Sequence, residues 1–351
     1  MAAAENVSLG LPVEIGKIDR TLKKIWTDSG GVKTRASLIN LAIYSEATGS
    51  LPLNTEIISK ITENHACRAI VISADPAAKE NRVEAWVSAH CHVTGSGSKQ
   101  VCSEQLSFLL EGPSARLLPN IVFSHLDSDL PFYLWWQEEF HEPMDPQLWA
   151  WVDRVIYDSQ KWSAFAEQMR RVETAQTEAQ QRITLCDLNW TRLYQIRLAL
   201  AQFFDHPVSH RHLREIEGVE IEFGPGYRST ALLLAGWLAG QLEWTIEPGS
   251  KDNALAFRDE AGRTVRVSLK ETPGEPINHC VLKCRSIEMR VSHGPNADLL
   301  DVSAGAPGQP GMNQPMPASS NDPTDLMKEE LMRCGQHRVY LRAMNVVRDL
   351  L

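Results

Sequence analysis

The sequence has few of the features that mark a membrane, secreted or nucleic-acid-binding protein. No apolar run in its 351 residues approaches the ~20 residues that a membrane-spanning helix needs. The residues from Met1 to Asn6 are not a basic stretch followed by an apolar core, so we expect no secretory signal and a cytoplasmic location. The formal net charge of −9 disfavours binding to nucleic acid or to anionic lipid, because both need a basic surface. We therefore expect neither as a partner.

Motifs for common catalytic and cofactor sites are also missing. There is no Gly-x-Ser-x-Gly elbow, His-Glu-x-x-His helix or kinase signature. A loop at 224–230 lies between a predicted strand and helix, and Gly224, Gly226 and Arg228 could hold an anion on free backbone amides. This loop lacks the lysine of a phosphate loop, and Ser229 replaces the third glycine of a dinucleotide fingerprint. A plain turn and helix cap is therefore the favoured interpretation, and we expect no cofactor.

Possible metal ligands occur in three separate groups, none of which has the spacing of a known metal site. The groups are His206, His210 and His212; His90, Cys91 and His92; and Cys280 and Cys284. On a strand, alternate residues face opposite sides, which separates Cys91 from the two histidines beside it. The pair of thiols lacks the second pair that a structural zinc site requires. The seven cysteines are odd in number and irregularly spaced, so we expect mostly reduced thiols and no bound metal.

Hydrophobic periodicity predicts an α/β (α+β) protein of two domains, 1–185 and 186–351, each a mixed sheet with packed helices. In the first domain, a strand at 35–44, a helix at 54–65 and a strand at 68–74 predict a parallel crossover unit. The second domain is predicted to begin with one helix over 187–204, capped by Asp187 or Asn189. A further helix is expected over 227–241, followed by several strands. The proline-rich residues 304–323 predict an exposed flexible segment before two closing helices.

A β-hairpin is predicted from apolar residues at odd positions in 83–93 and even positions in 102–110. With its tip at Ser96-Gly97, opposed residues sum to 193 in number, which places the apolar positions of both strands on one face. This register places Cys91 opposite Cys102, within reach of a disulfide. The two residues are a candidate redox pair, although two buried, protonated and inert thiols are the favoured interpretation.

Four segments together resemble one known family, the OpcA-type glucose-6-phosphate dehydrogenase assembly proteins. The first is Ile15 to Trp26 followed by Arg35–Leu41, and the second is the Asp-Leu-Pro-x-x-Leu-Trp-Trp pattern at Asp129–Trp136. The third is Asp-Leu-Asn-Trp-x-Arg-Leu at Asp187–Leu193, continued by Arg197 and Leu200–Asp205. The fourth is Leu233–Leu238 followed by Leu242 and Trp244. These segments occur in the family's order and span most of the chain.

The resemblance implies a non-catalytic protein that binds glucose-6-phosphate dehydrogenase, assists its assembly and acts as its allosteric activator in the oxidative pentose phosphate pathway. The family supplies no set of contact residues to transfer. Trp190 and Arg192 are our candidates for partner contacts, because an exposed tryptophan beside an arginine is typical of interface hot spots. Core packing for Trp190 and a solvated side chain for Arg192 remain the alternatives. The competing hypothesis is an α/β enzyme that acts on a sugar phosphate near Trp135, Trp136 and Glu138.

Overall fold

The structure is a computed structural model that describes residues 9–27, 33–47, 49–93, 100–141, 146–178, 183–205, 207–248, 253–309, 312–333 and 338–351. The chain divides into two compact units. The first unit comprises Met1–Tyr157, Arg170–Cys186 and Met327–Cys334, and the second comprises Asp158–Met169, Asp187–Leu326 and Gly335–Leu351. The chain thus passes from one unit to the other more than once, whereas a single division after residue 185 was our expectation.

The first unit contains a nine-stranded mixed sheet with the order β1-β5-β6-β4-β3-β7-β8-β9, and β2 pairs with β6. Its strands are β1 (Leu11–Pro12), β2 (Lys33–Arg35), β3 (Ile39–Ser45), β4 (Cys67–Asp75), β5 (Arg82–Val93), β6 (Gln100–Glu111), β7 (Phe132–Trp136), β8 (Arg154–Tyr157) and β9 (Thr184–Asp187). The helices in this part of the chain are α1 (Ile18–Thr27), α2 (Ser50–Thr62), α3 (Leu118–His125), α4 (Pro146–Trp149) and α5 (Phe165–Glu178).

The predicted parallel crossover is confirmed. Strands β3 and β4 pair in parallel from Ile39↔Cys67 to Ser45↔Ser73, and helix α2 lies between them in sequence and packs on β4. Both strands are apolar and buried along almost their whole length, as expected for strands covered on both faces. Helix α2 begins at Ser50, earlier than predicted, because Pro52 falls in its first turn, where a missing N–H costs nothing.

The predicted hairpin is confirmed in its register. Strands β5 and β6 pair antiparallel from Arg82↔Glu111 to Val93↔Gln100, so every pair sums to 193. The predicted tip, Ser96-Gly97, lies outside the described residues. The alternating apolar residues were sufficient to predict the register, because a shift by one residue would move every buried side chain to the opposite face.

The second unit contains an eight-stranded sheet with the order β11-β12-β13-β10-β14-β15-β16-β17. Its strands are β10 (Ile216–Phe223), β11 (Thr245–Ile246), β12 (Ala254–Arg258), β13 (Thr264–Glu271), β14 (His279–Cys284), β15 (Glu288–His293), β16 (Leu299–Gly305) and β17 (Met312–Pro317). The helices in this part of the chain are α6 (Leu188–Arg192), α7 (Tyr194–Gln202), α8 (Pro207–His210), α9 (Arg228–Gln241), α10 (Pro323–Met332) and α11 (Arg338–Leu350). The residues of α10 from Met327 onward belong to the first unit. Helix α9 packs on β10 and β13, and α11 packs along α9.

Two predictions for this half are corrected. The helix predicted over 187–204 is broken at Leu193, whose backbone N–H bonds to Trp190 O in a tighter turn, so that α6 and α7 are separate. The segment 304–323 is not irregular throughout, because β17 pairs with β16 from Leu299↔Pro317 to Ala304↔Met312 and forms an edge strand of the sheet. The mobility expected for this segment stays a prediction. In the described part of the chain, no helix is long and apolar enough to cross a membrane.

The contact between α9 and α11 allows a test of the packing in the second unit. A Cβ atom added at Gly236 would lie 2.7 Å from both Ala343 O and Val347 Cγ2. We expect Gly236→Ala to lower the free energy of unfolding by about 1–3 kcal/mol through overpacking. Urea unfolding measures the loss. Gly16→Ala is the control, because a Cβ atom there meets no atom within 4 Å. Equal stability of both variants would contradict this close approach of the helices.

Candidate functional site

The carboxyl ends of β3 and β7 form the crevice at which open α/β sheets commonly bind ligands. The chain leaves β3 toward β4 on one side and later reaches β7 on the other, so the strand order reverses between β3 and β7. The Glu138 carboxylate occupies this point. Its Oε1 atom accepts hydrogen bonds from Ser45 Oγ at 2.9 Å and from the backbone N–H of Glu46 at 2.7 Å. The two loops at the mouth of the crevice are thus joined by a negative side chain of the protein itself.

The aromatic residues beside this crevice are engaged in packing. The Trp136 ring stacks on the Tyr44 ring with 4.1 Å between centroids, and Trp135 is only 3% exposed. The Tyr44 hydroxyl donates to Glu46 Oε1 at 2.8 Å, and burial together with that carboxylate raises the pKa of Tyr44 far above its usual range. Phosphate or any other anion in the crevice would meet the carboxylates of Glu46 and Glu138. The arrangement therefore disfavours the phosphate-bearing ligands that this edge of a sheet usually binds.

A buried polar network surrounds Asp187 in the second unit. The Asp187 carboxylate accepts the backbone N–H groups of Ser159 (3.0 Å) and Asn189 (2.9 Å) on Oδ1, which makes it the cap of α6, as predicted. Its Oδ2 accepts the hydroxyls of Ser159 (2.6 Å) and Tyr340 (3.1 Å). Burial, followed by the nearby Asp158 carboxylate, raises the pKa of Asp187 to about 7, although these hydrogen bonds act in the opposite direction.

Asn189 extends this network to the first turn of α9. Its Oδ1 accepts from Thr230 Oγ1 at 2.6 Å, and its Nδ2 donates to Ser159 Oγ at 3.1 Å and Ser229 Oγ at 3.2 Å. Asn189, Ser159 and Thr230 have no measurable exposure. These buried hydrogen bonds hold segments of the second unit together.

The exposure predicted for Trp190 and Arg192 is wrong, because the two side chains are 3% and 6% exposed. The Arg192 guanidinium forms an ion pair with both oxygens of Asp158, at 3.2 and 2.8 Å, and donates through Nε to Asn321 at 2.5 Å. The Trp190 ring packs on Tyr340, with 5.5 Å between centroids, and lies 3.5 Å from the Arg197 guanidinium carbon. Their burial leaves little of either side chain for a partner to contact.

At the loop proposed for an anion, the amides are partly used within the protein. The Gly224 N–H donates to Glu275 O at 2.9 Å, and the Tyr227 N–H donates to Gly224 O at 3.0 Å. A Cβ atom at Gly224 would lie 2.7 Å from Glu275 O, which explains glycine there. Gly226 adopts a left-handed φ of +83°, and Arg228 opens α9. These contacts build a turn and a helix start, and nothing in them selects an anion.

The three groups of potential metal ligands are not assembled into a site. His206 lies outside the described residues, while His212 Nδ1 contacts Glu215 Oε2 at 2.7 Å. His90 and His92 contact Gln105 and Thr62, respectively. Burial raises the pKa of the Cys280 and Cys284 thiols to about 12, so both are neutral. Among the described residues, no three histidine, cysteine or acidic side chains are grouped as a metal ion requires.

The favoured interpretation of Cys91 and Cys102 as free thiols is wrong in this structure, in which they form a disulfide. The two residues are opposed in the hairpin register, with their Cα atoms 4.0 Å apart. The predicted register therefore brings the two sulfur atoms within bonding reach. Cys102 is fully buried and Cys91 is half-buried. A redox role for the pair stays a prediction.

Sequence reasoning missed two surface features of the first unit. Trp151 is 60% exposed, and its ring lies 5.5 Å from that of Phe123. Glu46, Asp75 and Glu111 end or follow three neighbouring strands, so their carboxylates share one edge of the sheet. The carboxylates at this edge had a usable signal in the sequence, because Asp75 and Glu111 directly follow predicted strands and Glu46 comes two residues after one. The exposure of Trp151 had no such signal in the sequence, since the nearby Trp149 is buried in the same sequence context.

Comparison with known families gives matches over most of the chain. A model described as the glucose-6-phosphate dehydrogenase subunit N-terminal domain matches residues 58–174, and one described as the C-terminal domain matches residues 183–344. A protein of Nostoc punctiforme named OxPP cycle protein OpcA is 25% identical over 318 residues, covering 84% of this chain and 67% of that protein. A Synechococcus elongatus protein of the same name is 26% identical over 346 residues, covering 91% and 76%.

Solved structures resemble the chain only distantly. An aldose-aldose oxidoreductase of Caulobacter crescentus has a TM-score of 0.48 at 9% identity, covering 89% of this chain and 95% of that one. A levoglucosan dehydrogenase in complex with NADH has a TM-score of 0.44 at 10% identity, with 90% of each chain covered. We draw no functional conclusion from likenesses at this distance.

The disulfide predicts a defined cross-linked peptide. Trypsin cleavage after Arg82, Lys99 and Arg116 places Cys91 and Cys102 in the separate peptides 83–99 and 100–116. We expect mass spectrometry of protein alkylated and digested without reductant to detect these two peptides joined, and reductant to separate them. The buried Cys67, which is a free thiol, is the internal control and should be alkylated in both samples once the protein is denatured. Separate alkylated peptides without reductant would contradict the bond.

The raised pKa of Asp187 predicts a pH-dependent stability. Its pKa is about 7 when folded and 3.8 in the ordinary state, so the folded protein binds the extra proton between these values. Stability from this group is therefore complete below about pH 4 and is lost as the pH rises through 7. Asp187→Asn resembles the protonated form, so its stability relative to the wild type should increase from pH 5 to 8, by roughly 2–4 kcal/mol.

Urea unfolding at pH 5, 6, 7 and 8 measures this difference in the free energy of unfolding. Asp301→Asn, at an exposed position on β16, is the control and should differ from the wild type by a constant amount. A constant difference for Asp187→Asn would show that Asp187 is already ionised at pH 5.

Proposed function

The chain belongs to the family of OpcA-type glucose-6-phosphate dehydrogenase assembly proteins, and on this basis we propose that it binds that enzyme, promotes its active assembly and catalyses no reaction itself. The observation that carries the proposal is the pair of family models, which together match residues in both halves of the chain. These relatives are named as proteins of the OxPP cycle, and we assign this protein to the same pathway.

The absence of catalysis is supported by the crevice between β3 and β7. Its mouth carries Glu138, held by Ser45 Oγ and the Glu46 amide, and the Glu46 carboxylate lies beside it. A dinucleotide at such a position needs free backbone amides and glycines to bind its pyrophosphate. The chain lacks the glycine fingerprint of dinucleotide-binding proteins, and the contacts described at this crevice include no cation that would offset the two carboxylates. The competing hypothesis of a sugar-phosphate enzyme near Trp135, Trp136 and Glu138 meets the same repulsion, and no observation favours it.

Activation by a non-catalytic partner requires only a difference in affinity. If the protein binds the active form of the enzyme more tightly than the inactive form, its binding shifts the population toward the active form. The size of the shift cannot exceed this difference, and a change from 1:99 to 99:1 needs a preference of about 10⁴-fold. Linkage makes this effect reciprocal. If the protein raises the enzyme's affinity for a substrate by some factor, the substrate raises the enzyme's affinity for the protein by the same factor.

Trp151 is our structure-based candidate for the contact with the enzyme, in place of the buried Trp190. Most of its side chain is exposed, and Phe123 supports one side of the ring. Exposed tryptophan side chains contribute large apolar area at low entropic cost, which is why they are frequent among interface hot spots. The aromatic pair is therefore a reasonable centre for an interface on the first unit.

The first test of this function is kinetic. The purified protein alone should reduce no nicotinamide cofactor with glucose 6-phosphate, and at saturation it should raise the kcat/KM of the host's glucose-6-phosphate dehydrogenase. Glucose 6-phosphate should in turn lower the Kd of the complex if it prefers the active form. Unchanged kinetics together with separate elution of the two proteins would refute the proposal.

The second test uses Trp151. We expect Trp151→Ala to weaken the complex at least tenfold in a titration of the enzyme, since hot-spot truncations cost about 2 kcal/mol or more. Leu299→Ala is the control, because Leu299 is 51% exposed on β16 of the other unit. Equal affinity of the Trp151→Ala variant and the control would exclude Trp151 from the interface without affecting the broader proposal.

A further inference from the structure

Helix α3 ends on a histidine that is buried against the first sheet. His125 lies on the same face of the helix as Leu118 and Ile121, which are buried as well. Its ring stacks on that of Phe108 in β6, with 5.6 Å between the centroids. The residue is 7% exposed, and among the described residues neither of its ring nitrogens has a hydrogen-bond partner. Packing alone does not explain an imidazole here, because an apolar ring would fill the place without leaving buried polar atoms unpaired.

Arg68 of β4 faces the same side of the sheet as this ring. Ile72 pairs with Phe108 in the parallel register of β4 and β6, and Arg68 comes four residues before Ile72, so alternation places Arg68 and Phe108 on one face. The Arg68 Nη1 atom donates to Glu104 Oε2 at 3.2 Å, but its Nε atom is buried without a partner in the part of the chain that the structure describes. Two nitrogens of His125 and one of Arg68 thus lie on this face without such a bond.

The surroundings of His125 favour its neutral form. Burial lowers the pKa of His125 most, Asp19 on α1 acts in the opposite direction, and the positive charge of Arg68 on β4 lowers it further. The carbonyl end of α3 acts in the same direction as Asp19. Glu104 on β6 and Asp127, which comes just after α3, already form ion pairs with arginines. The net result is a pKa below the ordinary value for histidine, so the packing suits the neutral ring.

Protonation changes what the buried ring requires. A neutral imidazole has one donor and one acceptor, whereas the imidazolium has two donors and a full positive charge. No described residue accepts a hydrogen bond from either nitrogen, and a charge buried without a partner costs far more free energy than a neutral polar atom. The imidazolium would also feel the repulsion of the Arg68 guanidinium. The ring therefore has to move toward water when it takes up a proton, and α3 has to move with it.

The outer side of α3 supports the tryptophan proposed above as a contact with the enzyme. Phe123 precedes His125 by two residues, and its ring lies 5.5 Å from that of the exposed Trp151. Helix α3 has only eight residues, fewer than an isolated helix needs to be stable in water. Its position therefore depends on the side chains that it buries against the sheet. An outward movement of His125 also displaces Phe123 from the side of Trp151.

We propose that His125 makes the surface formed by Phe123 and Trp151 sensitive to protons. With a neutral ring, α3 stays packed on the sheet and Phe123 supports Trp151. With a protonated ring, α3 loosens and Trp151 loses this support, so the complex with the enzyme weakens in acid. The identity of the partner and the role of Trp151 rest on the proposed function, whereas the loosening of α3 is a property of this chain alone.

The loosening of α3 is tested on the full chain without the enzyme. An NMR titration of labelled histidine rings gives the pKa of His125, and we expect a value below the ordinary 6.5. Stability from the neutral ring is then complete above pH 6.5 and is lost as the pH falls through the measured pKa. Hydrogen–deuterium exchange of residues 118–126, divided by the intrinsic rate at each pH, should be at least tenfold faster one unit below this pKa than at pH 7.5.

Two variants assign this effect to His125. His125→Phe keeps an aromatic ring against Phe108 but cannot titrate, so its corrected exchange over 118–126 should be the same at both pH values. His141→Phe is the matched control, because it makes the same substitution at an exposed position of the same unit and should exchange as the wild type does. A measured pKa of 6.5 or higher for His125 would overturn the proposal, and so would a corrected exchange in the wild type that does not change with pH. Neither of these two results depends on how well a variant folds.

The complex with the enzyme supplies the second readout. The ratio of the Kd of the wild type to that of His125→Phe should be about 1 at pH 7.5 and about three to ten one unit below the pKa of His125, because only the fraction with a neutral ring keeps the competent surface. Titration of the enzyme itself cancels in this ratio. In the Trp151→Ala background the same ratio should not change with pH, since the contact that α3 supports is already lost.

Two failures are distinguishable in this experiment. If the complex forms at pH 7.5 but the ratio of the two Kd values does not change with pH, the link between His125 and the interface is overturned while the proposed function stands. If the wild type does not bind the enzyme at pH 7.5, the proposed function is refuted, and the link to the interface is refuted with it.

Discussion

The second unit depends on one buried carboxylate, that of Asp187. It accepts four hydrogen bonds from Ser159, Asn189 and Tyr340, which belong to three separate stretches of the chain. Full burial of an ionised carboxylate is costly, and the raised pKa of Asp187 is the protein's response. The neutral form suits the site, because a protonated oxygen can donate to either hydroxyl while the other oxygen keeps the two backbone N–H groups.

The same carboxylate determines the charge balance around Arg192. Arg192 and Asp158 form a buried ion pair whose two charges cancel. Protonated Asp187 adds no charge beside this ion pair, whereas its ionisation adds a negative charge near Asp158. Truncating Arg192 would leave Asp158 buried without a cation, a change that typically costs about 3–5 kcal/mol. If an Arg192 variant lost partner binding, destabilisation of the fold would therefore explain the loss before a direct contact with the partner did.

The sequence predicted the features that depend on local pattern, and it failed where distant residues decide the outcome. The hairpin register followed from alternation, and the Asp187 cap followed from a residue type at a helix start. The burial of Arg192 depends on contacts with Asp158 and Asn321, which are 34 and 129 positions away in the sequence. No local sequence pattern predicts either contact. Strand β17 was missed because two of its six residues are proline, although pairing with β16 outweighs their preference against strands. That Glu46, Asp75 and Glu111 share one edge of the sheet depends on the strand order, which periodicity alone cannot supply.

The prolines of β17 have a consequence for how this edge of the sheet can meet another strand. Pro315 and Pro317 pair with Asp301 and Leu299 of β16 and alternate along the edge of an eight-stranded sheet. A proline has no N–H, and on an edge strand it is tolerated where that missing donor would face outward. A second chain approaching this edge would find two of its hydrogen-bond donors absent. Strand-to-strand self-association, the route by which open sheets aggregate, is thereby discouraged at this end of the sheet.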